Sequence, residues 1–315
     1  MATVVSRAQI EQVIRPHELV TAVERAFVAY SRGEAVVPPV GQLYFDDPPG
    51  DCHIKYGFLR SSDTFTIKIA TGFPENPQRG LASSNGVVLL FSRQTGQLLT
   101  IFQDEGYMTD VRTAAAGAVA AKYLAPPTIN KIAIIGAGIQ ARLQLEYLRE
   151  VTTCRSVRLW ARSPERARAV SVRGFDITVC ESPAAAVSGA QLVVTTTASP
   201  QWIIGAAAIE PGTHITAVGA DGGGKQELEP ALFAIAKIRA VDSRSQCAQY
   251  GDSAAALSQG LITPEDLVEL GELIERKELR RRNDSDITIA DLTGVAVQDI
   301  AVADLALRGL PGQHL

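Results

Sequence analysis

The first third of the chain changes from a helical to an extended pattern of apolar positions. Apolar residues recur at helical spacing over residues 10–30 and are interrupted at Arg15-Pro16, which predicts two short helices. β-Rich runs separated by Pro, Gly and Asn clusters predict a small, mostly antiparallel sheet. These runs lie at 65–70, 86–91 and 98–102. The alanine-rich segment 109–124 predicts a helix that leads out of this first domain.

After Pro126-Pro127 the pattern becomes strand, turn and helix in repetition. Residues 131–135 form a continuous apolar run typical of a buried parallel strand, followed by a glycine turn and a predicted helix at 140–151. Further strand-like runs lie at 156–160, 177–179, 192–195, 214–218 and 238–241. This alternation predicts a doubly wound parallel sheet, a Rossmann unit. The charged run 275–282 is interpreted as solvated surface, and the last residues are expected to fold back onto the first domain.

Composition narrows the class of protein. The chain has 315 residues, 46% of them apolar and 20% charged, which allows a globular protein of two domains. A net charge of -4 provides no bulk positive field for a nucleic acid. No apolar stretch long enough to span a membrane and no signal-peptide pattern occur, so we expect no membrane partner and a cytoplasmic location. The four cysteines lie far apart, which argues against a zinc ribbon or a dithiol redox centre.

A glycine-rich turn marks the predicted nucleotide site. Gly136, Gly138, Ile139, Gln140 and Ala141 follow a predicted strand and open a predicted helix, as in a dinucleotide-binding fingerprint. Gly136 permits a tight turn, Gly138 permits backbone approach to a pyrophosphate, and Ala141 permits close packing of helix and strand. The alternative interpretation is a glycine-rich turn that binds no ligand.

The end of the second Rossmann strand favours NADP(H), with NAD(H) possible. Residues 159–163 carry no acidic side chain that would accept hydrogen bonds from ribose hydroxyls. Arg162 and Ser163 could instead bind a 2′-phosphate through charge-assisted and neutral hydrogen bonds.

Four segments together resemble the ornithine cyclodeaminase/mu-crystallin family along nearly the whole chain. They are the segments 68–77 (KIATGFPENP), 109–116 (TDVRTAAA), the glycine turn, and 219–228 (GADGGGKQEL). The resemblance implies a homodimer, with a central Rossmann domain joined to a smaller α+β domain for substrate binding and dimerisation. It places the α+β domain at 1–124, completed by 298–315, and the Rossmann domain at 125–297.

The resemblance also implies roles for three residues. Lys68 and Arg112 match the family's ligands for the substrate α-carboxylate, and Asp221 matches its catalytic aspartate. Lys68 would place a charge near the developing iminium, Arg112 would pair bidentately with the carboxylate, and Asp221 would move protons at the substrate nitrogen. The structural alternatives are a lysine facing water, a cation on a helix surface, and a turn-forming aspartate.

Two departures from the family pattern bear on substrate choice. Lys55 occupies the position where ornithine-cyclising enzymes carry a glutamate for the distal amine. Two ammonium groups would repel there, so Lys55 argues against ornithine or lysine and favours a neutral or acidic side chain, unless it faces solvent. The arginine that many relatives carry after the early Pro-Val pair is also missing, since Pro39-Val40 continues as Gly41-Gln42.

The remaining candidates are polar residues near these segments. Ser83 and Asn85 could hydrogen-bond substrate or nicotinamide, or simply form turns. His53 is a candidate acid or base, although an isolated histidine is more often structural. Residues 293–296, including Val295, resemble the family segment that contacts the cofactor.

Three functions follow from these residues. The first is an NAD(P)-dependent oxidoreductase that transfers hydride at the α C–N bond of a small amino acid or imine, without a metal. The second is cyclodeamination of L-ornithine or L-lysine with release of ammonia. The third is a non-catalytic protein that binds a cofactor or another ligand.

Overall fold

A computed structural model describes residues 2–311, which divide into two compact units. Unit 1 comprises the described parts of Met1–Arg112 and Val295–Leu315, and unit 2 comprises Thr113–Gly294. These divisions fall earlier than the predicted boundaries, after residue 112 instead of 124 and after residue 294 instead of 297.

The regular elements are as follows. The strands are β1 (Thr3–Ser6), β2 (Ala35–Val36), β3 (Gly41–Asp46), β4 (Pro49–Leu59), β5 (Thr64–Gly72), β6 (Ser84–Ser92), β7 (Leu98–Gln103), β8 (Ile132–Ile135), β9 (Ser156–Trp160), β10 (Asp176–Val179), β11 (Leu192–Thr195), β12 (His214–Ala217), β13 (Ile238–Val241), β14 (Leu267–Glu269) and β15 (Thr288–Asp291). The helices are α1 (Arg7–Val13), α2 (Pro16–Ser31), α3 (Tyr107–Leu124), α4 (Ile139–Leu148), α5 (Pro164–Arg168), α6 (Pro183–Val187), α7 (Pro230–Ile235), α8 (Arg244–Tyr250), α9 (Asp252–Ser258), α10 (Leu270–Glu275) and α11 (Ala296–Gly309).

Unit 1 is built on a sheet with the strand order β1-β7-β6-β5-β4-β2, in which β3 also pairs with β4. All of its pairings are antiparallel except that of β1 with β7, so the predicted mostly antiparallel sheet is confirmed. The two predicted N-terminal helices are present as α1 and α2, separated at Arg15. Pro16 opens α2 because its fixed φ suits the first helical position.

Helix α11 packs against α2 and against strands β4 and β5 of unit 1. Side chains alternate between the two faces of a strand, so Thr64, Thr66 and Lys68 share one face of β5, and all three are buried. The intervening residues Phe65 and Ile67 are only half-buried. The C-terminal helix therefore belongs to the same layered unit as the N-terminal sheet.

Unit 2 contains an eight-stranded sheet with the order β10-β9-β8-β11-β12-β15-β13-β14, and all of its pairings are parallel. The six strand-like runs predicted between residues 131 and 241 correspond to β8 to β13. Strand β15 lies between β12 and β13, which sequence order alone does not indicate. The order reverses direction at β8 and β11, as in Rossmann sheets, and confirms the predicted doubly wound architecture.

Helix α3 explains the earlier boundary between the units. Its carbonyl at Thr113 accepts a hydrogen bond from Gln144 Nε2 at 3.2 Å, and its carbonyl at Leu124 accepts one from Thr288 Oγ1 at 3.0 Å. Gly117 lies so close to Gln144 that a Cβ there would overlap the amide. Most of this predicted helix is therefore part of unit 2, whereas Arg112 belongs to unit 1.

The charged run 275–282 is only partly the solvated surface that the sequence predicts. Residues 275–278 are exposed, but Arg280 and Arg281 are half-buried. Arg281 donates to the Leu124 carbonyl at 3.1 Å and to Thr288 Oγ1 at 3.2 Å. These guanidinium groups satisfy backbone carbonyls, which a pattern of charge alone does not reveal.

Within residues 2–311, none of the helices combines the length and the apolar character needed to cross a membrane.

Candidate active site

Three basic side chains lie buried in unit 1. Lys55 on β4, Lys68 on β5 and Arg112 on α3 are only 6%, 2% and 5% exposed. Lys55 is directly opposite Lys68 in the antiparallel register of β4 and β5, so both side chains leave the same face of the sheet. The structure thus rejects the solvent-facing alternative for Lys55, Lys68 and Arg112.

Asp299 in the first turn of α11 joins two of these cations. Its Oδ1 atom lies 3.2 Å from Lys68 Nζ and 3.1 Å from Arg112 Nε, and the residue is 1% exposed. The neighbouring Gln298 accepts a hydrogen bond from Arg112 Nη1 at 2.8 Å. The four side chains form one buried cluster within unit 1.

The protonation of this cluster is set by burial and by neighbouring charges. Burial lowers the pKa of Lys68 to about 7; Asp299 opposes this change, while Arg112 and Lys55 add to it. Burial alone would raise the pKa of Asp299, but the positive charges of Lys68, Arg112 and Lys55 outweigh it and lower that pKa. Lys68 is therefore able to gain or lose a proton near neutral pH, while Asp299 stays ionised.

Asp104 completes the buried polar groups near Lys68. It is 1% exposed, and its Oδ2 accepts a hydrogen bond from the Met108 backbone N–H at 2.8 Å at the start of α3. Burial raises the pKa of Asp104, whereas its backbone hydrogen bonds and Lys68 lower it. Among the described residues, Asp104 Oδ1 and Asp299 Oδ2 are buried without a hydrogen-bond partner.

The structure does not bring every predicted polar residue to this cluster. Asn85 is exposed on β6 and pairs with Thr71, on the opposite face of the sheet from Lys68, and its Oδ1 accepts from the Gly86 N–H. Ser83 is exposed in the loop before β6. His53 leaves the same face as Lys55, and its Nε2 lies 3.7 Å from Asp51 Oδ1.

The glycine turn in unit 2 connects β8 to α4 as predicted. Gly136 has φ +130°, and a Cβ there would overlap Thr196 Oγ1, so only glycine fits. Gly138 is the residue before α4, and a Cβ there would meet nothing within 4 Å. Ile139 is 52% exposed, Gln140 is half-buried, and Ala141 is fully buried against the sheet. The first turn of α4 therefore faces open space, where an anionic group can approach the backbone.

The tip of β9 carries Arg162 and Ser163. Arg162 is exposed, and the Ser163 hydroxyl accepts a hydrogen bond from the Arg166 N–H at 3.2 Å, so it caps α5. The Ser163 hydroxyl hydrogen is not used in that contact. Val295, which the sequence assigns to the cofactor, is 1% exposed and precedes α11.

Asp221 lies in the loop that follows β12. Its side chain is 52% exposed, and its Oδ1 lies 2.6 Å from Lys225 Nζ. The loop is anchored by Glu227, a fully buried residue whose carboxylate accepts hydrogen bonds from Thr195 Oγ1 at 2.7 Å, Thr197 Oγ1 at 2.8 Å and the Gly219 N–H at 2.7 Å. Burial raises the pKa of Glu227 to about 7 against these hydrogen bonds. Glu227 thereby ties together the carboxyl ends of β11 and β12.

A model of the ornithine cyclodeaminase/mu-crystallin family matches residues 1–307. The chain belongs to this family.

Similar family members include enzymes of different reactions. An uncharacterized cyclodeaminase of Sinorhizobium fredii is 42% identical over 97% of this chain and 95% of its own. The structure of Thermococcus litoralis Δ1-pyrroline-2-carboxylate reductase with NADH and L-proline is 29% identical, with a TM-score of 0.92 over 98% of this chain and 97% of the reductase. An archaeal alanine dehydrogenase dimer with bound NAD is 35% identical, with a TM-score of 0.89 over 98% and 95% of the two chains. These similarities confirm the predicted α/β fold.

Sequence reasoning misses Asp299, Gln298, Asp104 and Glu227 in this ornithine cyclodeaminase/mu-crystallin family member. Gln298 and Asp299 form a polar pair inside the otherwise apolar start of α11. Such a pair in a buried helix requires partners and is the signal that would have found the cluster. Among the described residues no group of His, Cys, Asp or Glu side chains is arranged to hold a metal.

Proposed function

We propose that this protein is an NAD(P)-dependent oxidoreductase that transfers hydride at the α C–N bond of a small amino acid or its imine. The observation that carries the proposal is the buried pair of Lys68 and Arg112 on one oxygen of Asp299. Two cations removed from water are costly unless anions compensate them, and a substrate carboxylate is such an anion. The similarity to a Δ1-pyrroline-2-carboxylate reductase and to an alanine dehydrogenase supports this reaction class.

The glycine turn fits the pyrophosphate of a nicotinamide dinucleotide. A Cβ on Gly138 would meet open space, whereas Gly136 is required by its own positive φ and by the nearby Thr196. A glycine that the protein's own packing does not require supports close approach of a ligand to the helix N-terminus. Ala141 permits α4 to pack against the sheet. When bound, the nicotinamide supplies or accepts the hydride.

Arg112 and Lys68 would orient the substrate through its carboxylate. Asp299 and Gln298 use two of the five N–H donors of Arg112 in the described contacts, so its guanidinium keeps donors for a bidentate contact. Lys68 contributes a point charge on the same side. A carboxylate fixed by two groups holds the adjacent Cα in one orientation, which favours hydride transfer over unproductive binding.

Proton transfer would use Lys68 and Asp221. With a pKa of about 7, Lys68 exists in both protonation states near neutral pH, as a general acid or base requires. Asp221 is half-exposed and would hold or exchange a proton at the substrate nitrogen. Lys225 Nζ donates a hydrogen bond to Asp221 Oδ1 at 2.6 Å.

The direct test is a turnover assay with purified protein. NADH and NADPH are each mixed with cyclic imino acids, or with 2-oxo acids and ammonium or methylamine, and loss of nicotinamide absorbance is recorded. We expect turnover with at least one substrate and a loss of at least about 100-fold in Arg112→Ala. The solvent-exposed Arg276→Ala is the matched control. A complete panel without turnover contradicts the proposal.

Cyclodeamination is the second candidate, and the 42% identical relative named as a cyclodeaminase favours it. Lys55 speaks against it, because it is buried opposite Lys68 and would face the distal ammonium of ornithine or lysine. Ammonia release is measured from L-ornithine and L-lysine with catalytic NAD. Ammonia release by the wild type supports cyclodeamination. If the wild type releases no ammonia and Lys55→Glu does, the result supports our assignment of Lys55 as the residue that disfavours a distal ammonium.

We infer a preference for NADP(H) from the strand tip. Arg162 is exposed beside Ser163, and residues 159–163 contain no acid. Two similar family members are described with NADH and NAD, so the inference rests on this chain's own residues. Arg162→Ala is expected to raise the KM for NADPH about tenfold and to leave that for NADH within twofold. Equal turnover of both cofactors by the wild type contradicts the preference.

We infer that two copies associate through unit 1. Leu43 and Phe45 share one face of β3 and are 55% and 43% exposed. An apolar exposed surface of this kind is typical of an interaction site, and one similar family member is described as a dimer. Leu43→Glu should convert a dimer to monomers in light scattering, while Leu261→Glu in unit 2 should not. A monomeric wild type refutes the inference.

We also propose that the protein works in the cytoplasm. All four cysteines are free thiols, which agrees with a reducing compartment. Cell fractionation with an antibody against the chain tests this location.

A further inference from the structure

Asp299 contacts both cations of the proposed carboxylate site, but it neither binds substrate nor transfers a proton in the proposed function. We propose that Asp299, together with Gln298, is a positioning residue of the substrate site, whose carboxylate fixes the Lys68 ammonium and the Arg112 guanidinium side by side to receive one carboxylate. The inference rests on the proposed function only in naming the ligand as a carboxylate.

The contacts of Asp299 support a positioning role. A single oxygen, Oδ1, lies 3.2 Å from Lys68 Nζ and 3.1 Å from Arg112 Nε, so the two cations are held within reach of the same small anion. Gln298 Oε1 accepts from Arg112 Nη1 at 2.8 Å and fixes the plane of the guanidinium. The two acceptors are consecutive residues of one helix, so α11 sets both the position and the orientation of Arg112.

The second oxygen of Asp299 indicates that the cluster is incomplete without a ligand. Oδ2 is buried and has no hydrogen-bond partner among the described residues. A buried carboxylate oxygen without a donor is costly, and native proteins leave few of them. A substrate held by Lys68 and Arg112 would bring an N–H group or an ordered water to this part of unit 1.

Four charged side chains, on one strand, two helices and one turn, act on Lys68. Lys55 on β4 and Arg112 on α3 oppose its protonated form, whereas Asp299 on α11 favours it. Asp104, in the turn before α3, also lies close enough to interact with Lys68. Burial lowers the pKa of Lys68 most strongly, and Asp299 is the largest opposing influence. Without Asp299, Lys68 would lose its proton at lower pH.

Stability alone does not explain this arrangement. A buried salt bridge contributes little net stability compared with apolar residues of similar size, because both ions must be desolvated. Here one carboxylate faces two cations that also repel one another, so positive charge remains while Lys68 is protonated. The arrangement is useful when a second carboxylate arrives between the cations that Asp299 holds in place.

The first experiment compares Asp299→Asn, Asp299→Glu and Asp304→Asn. Asp304 is a half-buried acid on the same helix whose pKa is raised by burial, and the cation that acts on it is Arg308 rather than Lys68 or Arg112. kcat/KM is measured from about pH 5 to 9 with the best substrate of the turnover panel. For Asp299→Asn we expect kcat/KM to fall about 100-fold at neutral pH and the alkaline limb of its pH profile to move to lower pH. In Asp299→Glu the alkaline limb should return part of the way to its wild-type position. Asp304→Asn should match the wild type in both kcat/KM and pH profile.

A purely structural role predicts a different result. A folded Asp299→Asn protein that keeps the wild-type pH limb and a kcat/KM within about threefold overturns the proposal. If Asp299→Asn does not fold, Gln298→Leu takes its place, because it keeps every charge and removes the oxygen that accepts from Arg112 Nη1. It should raise KM about tenfold without moving the pH limb, and an unchanged KM overturns the proposal.

A second measurement does not depend on turnover. The chain has seven lysines, so isotope-labelled lysine gives few side-chain NMR signals, and Lys68→Arg identifies that of Lys68. The titration midpoint of Lys68 should lie at lower pH in Asp299→Asn than in the wild type, and an unchanged midpoint overturns the proposal. A wild type without turnover would refute the proposed function, while this titration still tests the role of Asp299.

Discussion

Lys68→Met should change how the stability of the protein depends on pH. Methionine keeps much of the lysine stem but carries no charge, and Asp299 keeps Arg112 as its partner. In the wild type, burial lowers the pKa of Lys68 from 10.5 to about 7. The folded state therefore releases this proton at a lower pH than the unfolded state.

The size and sign of the effect follow from proton linkage. Below about pH 7 both states carry the proton, and the folded state bears the full cost of a buried ammonium. As pH rises towards 10, only the unfolded state keeps the proton, so the wild type gains about 1.4 kcal/mol per pH unit, or about 5 kcal/mol in total. Lys68→Met lacks this gain.

The assay is urea unfolding followed by circular dichroism at several pH values between about 6.5 and 9.5. The free energy of unfolding of the wild type minus that of Lys68→Met should rise with pH, because groups that do not interact with Lys68 contribute equally to both proteins. Lys277→Met, at an exposed lysine, should show a difference that does not depend on pH. Parallel curves for the wild type and Lys68→Met would refute the assignment of Lys68 as a buried lysine that titrates near neutrality.

Further substitutions test other parts of the site. Gly138→Ala should fold normally but weaken cofactor binding at least about tenfold in calorimetry. Gly136→Ala should instead lower Tm, because the positive φ of Gly136 and the nearby Thr196 exclude a Cβ. A lower Tm in Gly138→Ala would contradict the interpretation that its Cβ meets only open space. Arg112→Lys should lower kcat/KM about 100-fold, since an ammonium cannot form a fork, and wild-type kinetics would contradict bidentate binding. Glu227→Gln should cost about 2 kcal/mol in chemical unfolding, because its amide turns a donor towards groups that already donate; an unchanged stability would contradict the network.

The sequence was informative where a local pattern determines structure. Strand β8 and the start of α4 are a buried apolar run followed by glycines, and both their position and their parallel pairing followed from that pattern. The pairing of β15 between β12 and β13 did not, because strand order depends on contacts between residues far apart in the chain. The same limit applies to the boundary inside α3, since a continuous helical pattern does not show which unit each turn contacts.

The candidate site divides in the same way. Lys68 and Arg112 were found through segments that resemble a family, and the structure adds their burial and their common partner. Asp299 lies 187 residues after Arg112, and its role depends on the packing of α11 against β4 and β5. The sequence did not show that Asn85 and Lys68 leave opposite faces of the sheet, because this depends on the register of β5 and β6, in which Asn85 pairs with Thr71, three residues after Lys68.

The central claim is that hydride is exchanged with the α-carbon of a molecule whose carboxylate is held by Lys68 and Arg112. The most direct measurement uses NADPH or NADH deuterated at the transferable position with the best imine substrate, followed by mass spectrometry of the product amino acid. We expect one deuterium at Cα in the wild type and almost none in Arg112→Ala over the same time. Product without deuterium at Cα, or equal labelling by both proteins, would contradict it.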